Sequence, residues 1–126
     1  MSMERRRLDR RNFSYYMRVM NEANGELVGH LSDLSTGGFK LDTRNAILVN
    51  QDYHLRMELS DEIANKKFMV FIARSKWCQR DHYDSSSYNV GFQIVNMAPG
   101  DAEIFTRMFE KYGSQNRNSA SDYLWK

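Results

Sequence analysis

The sequence predicts an all-β domain followed by one C-terminal helix, with about six antiparallel strands forming a small barrel or sandwich. Three observations predict it. Alternating apolar and polar segments recur from Phe13 to Val95, with turn residues roughly every ten positions. Asn24-Gly25 and Thr36-Gly37-Gly38 mark two chain reversals. After Pro99-Gly100 the apolar period changes from that of a strand to that of a helix. A chain of 126 residues is one domain with room for a modest core.

The elements follow in order. In "FSYYMRVM", Phe13, Tyr15, Met17 and Val19 share one face. Asn24-Gly25 is expected to close a hairpin, since both residues accept positive φ. The return strand "ELVGHLSDLS" puts Leu27, Gly29 and Leu31 on one side. The reversal "TGG" leads into "FKLDT". "DYHLRMEL" alternates Tyr53, Leu55, Met57 and Leu59 against His54, Arg56 and Glu58. "KKFMVFIARSKW" is apolar on both faces at its centre, as expected where a sheet is closed or covered. "RDHYDSSSY" reads as an exposed hairpin connection to the strand "YNVGFQIV". In "DAEIFTRMFEKYG", Phe105, Met108, Phe109 and Tyr112 fall at helical spacing, and Gly113 is a natural stop. The expected organisation is an arm over residues 1–12, a barrel with its helix over 13–113, and a disordered tail over 114–126.

Charge is distributed unevenly. The chain carries +2 overall. Arg5, Arg6, Arg7, Arg10 and Arg11 outnumber Glu4 and Asp9, so the first eleven residues carry +3 and the remainder −1. An anion would be met by the N-terminal arm, and the near-neutral remainder argues against a long polyanion track. No apolar run approaches the length of a membrane span. The N-terminus lacks the apolar stretch of a secretory signal. Cys78 is the single cysteine, which fits a reducing, cytoplasmic setting.

Catalytic patterns are missing from the sequence. His30, His54 and His82 lie at metal-ligand spacing neither with each other nor with Cys78. The acids form no paired acid/base constellation, and neither GxxxxGK[ST] nor GxGxxG occurs. Cys78 reads as a partly buried free thiol, and the chain as a non-enzyme with neither metal nor cofactor.

Two motifs carry chemistry. In the arm "ERRRLDRR", Arg6 and Arg10 are four apart, as are Arg7 and Arg11. A guanidinium is planar, permanently charged and forked, so it chelates phosphate oxygens and grips guanine O6 and N7. Alone, such a run is equally a solvated basic tail. The turn "DLSTGG" holds Asp33, Ser35, Gly37 and Gly38. It reads as a capped turn, or as a ledge where an Asp carboxylate accepts from the N1–H and N2–H₂ edge of guanine. There Ser35 donates to phosphate or holds the turn, and the glycines admit close backbone approach.

Together, Arg6-x-x-x-Arg10 and Asp33-x-Ser35-x-x-Gly38 resemble the two-part signature of the PilZ family, and "ARSKW" and "NVGFQI" extend the similarity over roughly residues 4–112. The resemblance implies a six-stranded antiparallel β-barrel that binds cyclic di-GMP, a bacterial second messenger, often as an intercalated dimer of the nucleotide. It implies that Arg6 and Arg10 grip phosphates and guanines, that Asp33 and Ser35 meet the guanine, and that Gly38 keeps the turn open. Arg5 and Arg7 flank the pair, Gly37 adjoins the turn, and Arg7 with Arg11 is the competing register. Trp77 is either a site neighbour or a rim aromatic. Asp9 departs from the pattern, since a bulky apolar residue or proline is more usual there. The chain leaves no room for an effector domain, so a cytoplasmic, monomeric receptor signalling through an unidentified partner protein is the expectation. The alternatives are a PilZ-like interaction module without nucleotide sensing, and a small barrel binding RNA or single-stranded DNA through the arm with Tyr16 as a stacking platform.

Overall fold

The fold is a closed six-stranded antiparallel barrel followed by a C-terminal helix. The structure is a computed structural model and describes residues 17–113. Its strands are β1 (Arg18–Asn21), β2 (Leu27–Ser35), β3 (Gly38–Thr43), β4 (Asp52–Glu58), β5 (Phe68–Arg80) and β6 (Tyr88–Asn96). The order around the barrel is β1-β2-β3-β6-β5-β4, and β4 pairs back to β1. Full closure leaves the sheet without a free edge.

The core follows from strand parity. Val19, Leu31, Leu34, Phe39, Leu41, Leu55, Met57 and Val90 are fully buried inside the barrel. Phe39 and Phe92 stack at 5.2 Å, and Phe71 meets Phe39 edge-on at 5.7 Å. Such ring pairs add roughly 0.5–1.5 kcal/mol beyond their burial.

Helix α1 (Pro99–Met108) has proline at its start, where a missing N–H costs nothing. Ile104, Phe105 and Met108 join the barrel's core cluster. The loop 59–67 holds the helix from outside: Lys66 pairs with Asp101 at 2.7 Å, and Arg107 donates to the Ile63 carbonyl at 2.7 Å. Asp101 also complements the positive end of the helix dipole. A π-helical turn (Phe109–Gly113) follows and buries Tyr112.

Several expectations are corrected. Leu27 is half exposed, because β1 and β2 shift register between Val19 and Met20 at the rim of the barrel. The first reversal is a longer loop than a two-residue Asn-Gly turn. Gly25 alone of the two takes positive φ, at 76°. Asn24 Oδ1 accepts from the Glu26 N–H, and Asn21 Oδ1 accepts from the Ala23 N–H. The apolar helix positions are Ile104, Phe105, Met108 and Tyr112, while Phe109 is only half-buried. The connection between β5 and β6 is exposed over residues 82–86 as expected, and one buried residue anchors it. Buried Asp81 accepts from the Tyr83 and Asp84 N–H groups and from Asn89 Nδ2, so it folds that loop from within. Residues 1–16, with the arginine arm, and 114–126, with the tail, lie outside the described residues. Among the described residues no helix is long and apolar enough to cross a membrane.

Candidate functional site

The turn between β2 and β3 is tight. Ser35 and Gly38 pair directly, leaving Thr36 and Gly37 as a two-residue tip. The Gly37 carbonyl accepts from the Ile94 N–H at 2.9 Å, which ties the tip to β6. Ser35 is fully buried, and its hydroxyl donates to the Gly38 carbonyl at 3.4 Å, so it holds the turn. Gly38 is buried as the first residue of β3.

Asp33 owes its orientation to an irregularity. Leu31 and Leu34 both face the core, three residues apart, which a period of two cannot achieve. The register shift between Leu31 and Asp33 absorbs Ser32 as a bulge. Asp33 therefore turns to the outer face, where strict alternation from Leu31 would have pointed it inward. Its Oδ1 accepts from the Leu34 N–H at 2.8 Å, and the residue is 6% exposed.

The same device recurs on β5. Ser75 is buried inside and Cys78 packs against the core, again three apart, with a register shift between Ser75 and Trp77. Trp77 is thereby turned outward. Cys78 Sγ accepts from the Ile47 N–H at 3.4 Å, consistent with a half-buried thiol.

The two bulges bring four residues into one row. Asp33 pairs with Lys40, Lys40 with Gly91, and Gly91 with Trp77. Phe39, Leu41, Val90 and Phe92 flank Lys40 and Gly91 and all face inward, so the row lies on the outside of the barrel. At one strand spacing per step it spans roughly 15 Å. The Trp77 indole lies over Gly91: a Cβ there would stand 2.3 Å from its Nε1. An acid, a cation and an indole seated over a glycine thus lie side by side, and such a set can accept from a base edge, meet a phosphate and stack on a ring.

The next outer row begins with His30 opposite Asp42. Burial is the largest influence on His30 and pushes its imidazolium below the usual range, against an opposing pull from Asp42. This end of the barrel holds a cleft of about 510 Å³, lined in part by His30, Asp42, Arg44 and Asp84.

The structure therefore brings Asp33, Ser35, Gly37, Gly38 and Trp77 onto one side of the barrel. Arg5, Arg6, Arg7, Arg10 and Arg11 lie outside the described residues. Met17 shows where they join: its carbonyl accepts from the Leu31 N–H at 2.8 Å. Met17, the first described residue, thus lies beside Leu31, two residues from Asp33. Lys40 and Gly91 were not singled out from sequence. Lys40 was accessible by counting outward from the two-residue turn, whereas Gly91 needs the β3–β6 register.

A family model described as the PilZ domain matches residues 4–111. No curated protein matches the chain. The match takes in both motifs and all six strands, and the chain belongs to the PilZ domain family.

Proposed function

We propose that this protein is a cyclic di-GMP receptor that relays ligand occupancy to a partner protein. The observation that carries the reading is the outer row holding Asp33 and Trp77, beside the strand to which Met17 delivers the chain. Six residues separate Met17 from Arg10, and the seven steps between them reach up to roughly 24 Å, ample for the length of the row. Asp33 accepts from the Watson–Crick edge of a guanine, and Arg6 and Arg10 take its phosphates and the Hoogsteen edge. Trp77 offers a ring face for stacking. Ser35 and Gly38 keep the ledge in shape, and Arg5, Arg7 and Gly37 adjoin the contacts.

Fixing side chains as long as arginine on a ligand costs conformational entropy, so several charged contacts must form together. Ligand and arm then close as one event, and the exposed surface changes by a shift of population. A partner that distinguishes the two surfaces completes the signal. The test is calorimetry of the full chain with cyclic di-GMP, and with GTP as control. Saturable binding of cyclic di-GMP alone supports the reading, and its absence up to roughly 50 μM overturns it.

A further inference from the structure

We infer that Lys40 is a binding residue of this site, supplying a cation fixed on the barrel rather than on the arm. The inference rests on the cyclic di-GMP reading and extends it to a residue outside both motifs. Lys40 stands between Asp33 and Gly91 in the outer row. It is half-buried on the outer face, as a lysine is when its stem lies along a sheet. Its backbone is pinned as well: the Lys40 carbonyl accepts from Ser32 Oγ at 3.2 Å, at the bulge that turns Asp33 outward.

The neighbours determine what that cation can do. On one side Asp33 is within reach of a direct cross-strand pair. On the other, Gly91 has no side chain, and the Trp77 indole lies over it. Lys40 lies between Asp33 and Trp77 in the row, so a nucleotide held by both passes beside it, and the phosphate is the part of that ligand a lysine would take. Among the described residues Lys40 is the cation in this row. It gives an anionic nucleotide a contact on the barrel itself, and it offsets the negative charge that Asp33 presents to a phosphate.

The test is calorimetry of full-length Lys40→Met, Lys40→Arg and unaltered protein with cyclic di-GMP, at low salt and in roughly 0.5 M salt. Lys40→Met is expected to bind about tenfold more weakly at low salt, and Lys40→Arg within about threefold of the unaltered protein. Raising salt is expected to weaken the unaltered protein more than Lys40→Met. Equal low-salt affinity of Lys40→Met and the unaltered protein overturns the role of Lys40 while leaving the receptor reading intact. Loss in Lys40→Met with an unchanged melting temperature and no rescue in Lys40→Arg also overturns a charge contact. Absence of binding by the unaltered protein overturns the receptor reading itself.

Discussion

The Trp77 indole fills the space that a side chain at Gly91 would need. A Cβ built on Gly91 would stand 2.3 Å from Nε1 and 2.4 Å from Cε2 of that ring, both far inside contact distance. The glycine is required by its neighbour and not by a turn, and it lets the Trp77 ring lie against the sheet beside Lys40.

Gly91→Ala should therefore displace the indole and cost about 1–3 kcal/mol, as overpacking does. Gly100→Ala is the contrast. Nothing lies within 4 Å of a Cβ there, and the residue sits in the first turn of α1, so a gain of roughly 0.5 kcal/mol is expected. Denaturant unfolding of both variants measures the difference. Equal effects would contradict the packing described.

Asp33→Asn separates fold from binding. Its amide oxygen can still accept from the Leu34 N–H, so that bond of the turn is kept. Its NH₂ would face the donors of a guanine edge, and binding should weaken by about 1.5–3 kcal/mol. Arg6→Ala and Arg10→Ala should each lose a similar amount, and the double variant less than the sum. Titration of all four proteins with cyclic di-GMP is the measurement, and undiminished binding by Asp33→Asn removes the ledge from the mechanism.

Ser75→Ala tests how the loop 44–51 is held. Buried Ser75 donates to the Leu48 carbonyl at 2.6 Å, and its Oγ accepts from the Gln51 N–H at 3.2 Å. The Asn50 N–H reaches the Ser75 carbonyl at 2.6 Å, with Asn50 in a left-handed conformation at φ 61°. Removing the hydroxyl leaves the Leu48 carbonyl and the Gln51 N–H without their buried partner, while the Asn50 N–H keeps the Ser75 carbonyl, at a cost of about 1–3 kcal/mol. Amide exchange should quicken at Asn50 and Gln51, while protection in β6 falls only with global stability.

His30 gives the fold a pH dependence of predictable sign. Burial holds its imidazolium below the ordinary value of 6.5, so the unfolded chain binds the proton more readily than the folded one. Its contribution is full above that value and is lost as pH falls toward the lower folded value. The charged groups acting on it are Asp42 on β3, Arg18 on β1 and Glu58 on β4. Stability of the unaltered protein should fall more between about pH 7.5 and 5.5 than that of His30→Gln. Identical slopes in denaturant unfolding would remove His30 from the account.

Much of this was legible in the sequence because strand parity and turn chemistry are local. Met17 and Val19 share the inner face as their spacing requires, and the alternation in "DYHLRMEL" places Leu55 and Met57 in the core. The break at Pro99 gives the helix its start. The misreadings fell where tertiary packing overrides a local rule. Leu27 lies at a shifted rim, and Asn24-Gly25 belongs to a loop closed by Asx side chains.

By itself, the sequence determined that this is a barrel-forming chain with a C-terminal helix, and that an acid, a serine and two glycines meet at its second reversal. Period-two alternation, however, would have pointed both Asp33 and Trp77 inward, behind Leu31 and Ser75. Only the tertiary structure decided otherwise. Closing the barrel forces the core to be filled by Leu34 and by the side of β5 carrying Cys78, each three residues on. The extra residue is expelled as a bulge on β2 and another on β5. That pair of irregularities puts Asp33 and Trp77 on one outer row, with Lys40 and Gly91 between them.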